Sequence, residues 1–261
     1  GGRHEAEVPG QRKRSADTAE QPRDRPAPCL AADALLVFQS IPLQNGPPKG
    51  LDGLELDLGK LGYQQVIEGV VIDHFRKRGF DVVAYDSRAH GDSGGDECTY
   101  GYFEKDDLRR VIETLKPGPV VLIGSSLGAA VALQTAALDQ RISAVVAAES
   151  FSDLRTVVME RAPFVYSAAT IAKSITLAEE QGKFSMDGVS PAKSARLIKV
   201  PVLLIHGARD KDTLPDHSRR VFGELSGPKD LILVPDARHN ESLGGGVWQD
   251  IERWIDHAVP P

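Results

Sequence analysis

Cysteine is scarce in this 261-residue chain: Cys29 and Cys98 stand far apart and in no metal-ligand spacing. That argues against a disulfide framework and against a cysteine-built metal site. Positive charge is in deficit too. The 31 Lys and Arg against 37 Asp and Glu leave a formal net charge of −6, the wrong sign for a nucleic-acid footprint. Long apolar runs are missing: no window approaches the roughly 18 residues of a membrane span. No signal-peptide pattern opens the chain and no internal repeat runs through it. The expectation from these absences is a cytoplasmic protein without nucleic-acid partners and without a membrane span. Oligomeric state is not encoded in any of them.

What is present is ordinary for a folded protein, 41% hydrophobic and 26% charged residues. Residues 1–28 mix charges of both signs with Pro, Gly and Ala and hold almost no large apolar side chains. Such a segment cannot bury enough surface to offset its ordering entropy and is expected to be a disordered tail. Residues 29–261 then read as one α/β domain. Apolar runs at 32–38, 80–86, 120–124, 142–149, 200–207 and 230–236 read as strands. Helical periodicity marks 63–78, 105–115, 127–138, 216–225 and 247–259. The strands are continuous aliphatic runs, the pattern of strands covered on both faces by helices. The expected fold is a doubly wound, mostly parallel sheet of about six strands. Residues 151–199 interrupt the alternation and read as a small cap.

One junction stands out. In "VVLIGSSLGAAVAL" a strand ends at Gly124-Ser125-Ser126-Leu127-Gly128 and a helix follows at once. The pattern is G-x-S-x-G in the strand–turn–helix context its chemistry needs, and it makes Ser126 the candidate nucleophile. The helix N-terminus aims N–H groups and its positive dipole end at the same place. A serine hydroxyl needs a base to react near neutral pH. Of the seven histidines, His239 lies in the loop right after the last strand, where it can reach across to Ser126. His4 falls in the tail, His74, His217 and His257 fall in helices, His206 lies at a strand end, and His90 sits in a glycine-rich loop. The base needs a carboxylate to fix its tautomer. Asp210, just after the preceding strand, is preferred to Asp212, and Glu149 at another strand end is the third candidate.

The motifs "YDSRAHGDSGG" (85–95), "GSSLGA" (124–129), "VPVLLIHGARD" (200–210) and "DARHN" (236–240) occur in the order found in α/β-hydrolase-fold serine hydrolases. From about residue 80 onward the chain resembles that family, on its bacterial esterase and prolyl-oligopeptidase-like branch. The resemblance implies that Ser126 is the nucleophile, Asp210 the acid and His239 the base. It implies that the Leu127 N–H is one oxyanion donor. The usual His-Gly pair after the first strand is replaced here by Gln39-Ser40, which makes Ile41 the expected second donor. The family's first two strands are expected to be missing. The implied function is hydrolysis of carboxylic esters through an acyl-enzyme, with a small-molecule or acyl substrate, no cofactor and no metal. A peptidase or amidase of the same fold, or a catalytically impaired binding protein, is the alternative. Asp86 and Arg88 are expected to brace their loop as an ion pair, Glu104 to complement a helix dipole, and Trp248 and Trp254 to pack in the core.

Overall fold

The computed structural model describes residues 35–40, 72, 75–90 and 93–259; of 35–40 it describes the backbone. The expected tail and most of the expected 63–78 helix lie outside these residues. The described strands are β1 (Leu35–Ser40), β2 (Phe80–Ala84), β3 (Val120–Ser125), β4 (Ile142–Ala148), β5 (Val202–Gly207) and β6 (Lys229–Val234). They form a sheet in the order β2-β1-β3-β4-β5-β6. From β3 to β6 every pairing is parallel.

β1 differs from its neighbours. It pairs antiparallel with both β2 and β3, with Leu35 opposite Gly124 and Gln39 opposite Val120. Its C-terminal end therefore lies beside the start of β3, at the edge of the sheet away from Ser126. Ile41 itself lies outside the described residues. β1 therefore ends about five strand residues, roughly 17 Å, from the serine end of β3. Apolar content reports that a strand exists, and nothing in it reports which way the strand runs.

The continuous strands are covered on both sides. Val120 and Leu122 of β3, Val145 and Ala147 of β4, and Val202 and Leu204 of β5 pack on one face. Against them lie Leu108 and Ile112 of α1 (Glu104–Glu113), Leu133 of α2 (Leu127–Ala136) and Val221 of α6 (Asp216–Glu224). The alternate residues Val121, Ile123, Ala144, Val146, Leu203 and Ile205 pack on the other face. There they meet Phe75 and the Ile251 and Ile255 of α7 (Val247–Ala258). The period of two along each strand fills both cores at once. Each fully buried Leu or Ile is worth about 1.5–3 kcal/mol.

Between β4 and β5 lie α3 (Leu154–Arg161), α4 (Ala168–Gly182), a 3₁₀ turn (Met186–Gly188) and α5 (Pro191–Ala195). The Ser167 and Ser190 hydroxyls accept the Thr170 and Lys193 N–H and so cap α4 and α5, and Pro191 opens α5 with its preset φ. These helices have their own apolar cluster, Phe151, Leu154, Val157, Ile175, Met186 and Val189. Ala130 of α2 belongs to it too, so the insertion seats on the helix behind Ser126. Among the described residues, no helix is long and apolar enough to cross a membrane.

Glu104 does more than face a dipole. It is 1% exposed, and its carboxylate accepts the Thr99 N–H at 2.6 Å, the Thr99 hydroxyl at 2.7 Å and the Gly101 N–H at 2.7 Å. It pins the loop into α1. Arg88 pairs with Asp107 of α1 at 2.6 Å and stacks on Phe103, in place of the expected bond to Asp86. Trp248 and Trp254 both pack against the α7 core, and Trp254 also donates its indole N–H to Asp230 at 2.8 Å.

Candidate active site

Three loops leave the C-terminal ends of β3, β5 and β6 at one edge of the sheet, where ligands gather in open α/β folds. At the first, Ser126 adopts φ 50° and ψ −112°, a conformation an L-residue rarely holds. Two features hold it there. The Ser126 N–H donates to the Ala148 carbonyl at 2.8 Å, tying the bend to β4. A Cβ on Gly124 would lie 2.4 Å from the Gly128 carbonyl carbon, so strand end and helix start touch where the two glycines face. Leu127 is the first residue of α2, beside the serine and 5% exposed.

The other two loops are stitched together. The Ala208 N–H donates to the Val234 carbonyl at 2.8 Å and the Arg209 N–H to the Ala237 carbonyl at 2.9 Å. A Cβ on Gly207 would stand 2.5 Å from the same Ala237 oxygen, so glycine permits this approach. The stitching brings Asp210 against His239. His239 Nδ1 lies 2.7 Å from Asp210 Oδ2, and its Nε2 lies 3.0 Å from Ser126 Oγ. A carboxylate only accepts, so Nδ1–H donates to Asp210, and the bare Nε2 faces the serine hydroxyl. His239 has 13% of its side chain exposed and Asp210 none.

Asp210 is held from several directions. Its Oδ1 accepts the Asp212 and Thr213 N–H groups, both at 2.8 Å. Its Oδ2 also lies 3.3 Å from His206 Nε2, which donates to the Thr213 carbonyl at 2.8 Å. Burial alone raises the Asp210 pKa. The hydrogen bonds from His206, His239 and the Thr213 N–H outweigh it and hold the carboxyl well below the usual carboxylate range. Asp212 contributes its backbone N–H while its side chain is exposed.

Glu149, the third candidate acid, is 1% exposed and lies just past β4 with φ 57°. One of its oxygens accepts the Asn240 N–H, and the other accepts the Ser242 N–H at 3.0 Å. It stands 3.9 Å from His239 Nδ1. Ligand atoms of Glu149, Asp210 and His239 fall within 4.8 Å of one another, close enough for a cation. Both carboxylates already accept two backbone N–H groups each, so hydrogen bonds fill the cluster.

The remaining histidines go elsewhere. His90 Nδ1–H donates to the Arg88 carbonyl, and His257 ends α7 at the surface. His4 and His74 lie outside the described residues. His217 forms a second serine–histidine–carboxylate set. Its Nδ1 lies 2.9 Å from Ser152 Oγ, and its Nε2 lies 2.8 Å from Glu160. Ser152 and His217 are fully covered, and the Ser152 N–H also points at Nδ1, so this set staples α3 to α6. Burial drives the His217 pKa down, against the pull of Glu160.

The comparisons with known proteins agree with this architecture. A family model described as the alpha/beta hydrolase fold matches residues 58–170, and one described as PhoPQ-activated pathogenicity-related protein matches 164–259. The uncharacterized protein YqkD of Bacillus subtilis is 32% identical over 187 residues, 63% of this chain and 57% of YqkD. The human mitochondrial palmitoyl-protein thioesterase ABHD10 is 26% identical over 201 residues, 69% of this chain and 64% of that protein. The chain thus spans about three fifths of the length of these curated relatives. The Pyrococcus furiosus esterase Pf2001 superposes with a TM-score of 0.57 at 21% identity, covering 75% of this chain and 77% of the esterase. Four parallel strands in unbroken order, helices on both faces and a serine bend closing β3 lead to the same conclusion as these likenesses: the chain has the α/β-hydrolase fold.

Proposed function

We propose that the protein hydrolyses carboxylic esters by acyl transfer through Ser126. The observation that carries this reading is the hydrogen-bonded line Ser126–His239–Asp210, at 3.0 and 2.7 Å, at the strand ends of the sheet. His239 Nε2 takes the Ser126 hydroxyl proton as Oγ attacks the substrate carbonyl carbon, and the imidazolium that forms is stabilised by Asp210. The same proton then passes to the departing alkoxide. A water, deprotonated by His239, attacks the acyl-serine and releases the acid. The Leu127 N–H, at the positive end of α2, is the donor assigned to the developing oxyanion.

The substrate class is supported by likeness in name to Pf2001, an esterase, and to ABHD10, a thioesterase; oxygen esters and thioesters share this acyl-transfer chemistry. Ile41 lies outside the described residues and is not part of the proposal. Removing one oxyanion donor costs about 10²–10³ in turnover, so a site relying on Leu127 alone is a slow catalyst. The test is turnover of short-chain p-nitrophenyl esters and of an acyl thioester, together with covalent labelling by a fluorophosphonate. Both are expected in the wild type and lost in Ser126→Ala. Labelling or turnover that survives that substitution overturns the assignment.

A further inference from the structure

We infer that Glu149 is a second carboxylate positioning residue for His239, acting beside Asp210 through the loop that carries the base. The inference rests on the proposed acyl-transfer role of Ser126 and His239. Its ground is a buried acid that the three-residue line leaves unused.

The carboxylate of Glu149 is covered to 1% exposure, a placement a charged group tolerates only when hydrogen-bonded. Its partners are informative. They are the N–H groups of Asn240 and Ser242, one and three residues past His239. One side chain from the end of β4 thus clamps the segment that aims the imidazole. Two backbone features serve this clamp. Glu149 sits at φ 57° and Asn240 at φ 64°, both in the left-handed region, which turns one chain's acceptors toward the other's donors. The Glu149 N–H in turn donates to the Ile205 carbonyl at 2.8 Å, anchoring the acid to β5, the strand that leads to Asp210.

The charge acts as well as the bonds. Glu149 Oε2 lies 3.9 Å from His239 Nδ1, on top of Asp210 at 2.7 Å. The groups facing the imidazole are Ser126 from the bend, Asp210 from the β5 loop with His206 behind it, and Glu149 from β4. On its own loop Arg238 and Glu241 are joined backbone to side chain at the exposed surface, and Asp236 pairs with Arg209. Of the buried charges here, two are carboxylates beside Nδ1. A nearby opposite charge favours the protonated imidazole, the species that must form as the serine attacks. Glu149 therefore favours the same state that Asp210 does, from a different strand.

The test compares Glu149→Gln with the wild type in ester turnover across pH. Glutamine keeps the size and one acceptor and removes the charge. The acidic limb of kcat/KM is expected to move down by about one pH unit. The plateau kcat should fall roughly tenfold with KM little changed, since Glu149 is buried at 1% exposure. Fluorophosphonate should still label Ser126 to completion, only more slowly. A folded, active variant with an unmoved acidic limb overturns the inference and leaves the role of Ser126 standing, because loss of labelling in Ser126→Ala decides that separately. Should Glu149→Gln not fold, the His239 imidazole is followed by NMR in Asp210→Ala, which leaves no side-chain donor facing Nδ1. With Glu149 charged beside it, the ring is expected to titrate at or above the ordinary value of about 6.5; a value below it, as burial alone would give, overturns the inference.

Discussion

Replacing Asp210 by Asn separates the roles of the buried carboxylate, and the result follows from its four contacts. The side-chain amide has one acceptor and one donor end. Two backbone N–H groups, from Asp212 and Thr213, face Oδ1 at 2.8 Å, so the amide oxygen must turn to them. Its NH₂ then takes the place of Oδ2, 2.7 Å from His239 Nδ1. A donor there forces Nδ1 to accept, which moves the ring proton to Nε2. That nitrogen now points an N–H at Ser126 Oγ across 3.0 Å and can no longer take the serine proton. An inverted tautomer of this kind costs about 10⁴ in kcat, or roughly 5.5 kcal/mol of transition-state stabilisation. Stability changes far less. One charge-assisted bond, worth about 1.5–3 kcal/mol, is lost while both backbone bonds persist, giving a Tm drop of roughly 4–10 °C. The assay is p-nitrophenyl ester turnover at saturating substrate, with circular dichroism melting on the same samples. A folded Asp210→Asn protein that keeps more than a tenth of wild-type kcat refutes the tautomer argument, and with it the assignment of Asp210 as the partner of the base.

Three further outcomes are expected. Asp210 is held well below its unfolded-state pKa of about 3.9, so its contribution to stability is fully present above that pH and is lost as pH falls below it; thermal melts should be flat from pH 8 to 5 and decline below about pH 4, less steeply in Asp210→Asn. Ser126→Gly should abolish turnover and yet raise Tm by a few degrees, because φ 50° with ψ −112° is a glycine conformation and relieving it returns about 1 kcal/mol; an unchanged or lower Tm counts against strain at the bend. Glu104→Ala strands the Thr99 and Gly101 N–H groups in a buried loop and should cost about 3 kcal/mol in urea unfolding; a loss under 1 kcal/mol would show that water replaces the carboxylate there.

Much of this was legible in the residues alone. The four parallel strands were readable because burial on both faces demands unbroken aliphatic runs such as Val120–Ile123 and Val202–Ile205, and glycine or charge marks their ends. The serine bend was readable because the close approach of Gly124 to the Gly128 backbone admits no larger residue at 124. Two things were out of reach. Strand direction is one: β1 offers the same apolar run whichever way it lies, and its pairing is decided by partners distant in sequence. The partners of buried charges are the other. Asp86 was nearer to Arg88 in sequence, yet α1 presents Asp107, and only the folded chain brings it within 2.6 Å. Glu149 showed its strand-end position to sequence reading but not its task, because its two N–H donors lie more than 90 residues on.

The helix behind the serine has a consequence for how such a protein can change. From Leu127 to Thr135 every side chain of α2 is covered. The sheet, α1, α5 and the insertion between β4 and β5 hem it in. Small residues such as Gly128, Ala129, Ala130 and Ala132 leave no slack, so a single added methylene would push the rod lengthwise or sideways and drag the hydroxyl with it. Exposed residues of the insertion, such as Met159, Phe164 and Tyr166, carry no such burden and can change freely, while the serine stays where the core has fastened it.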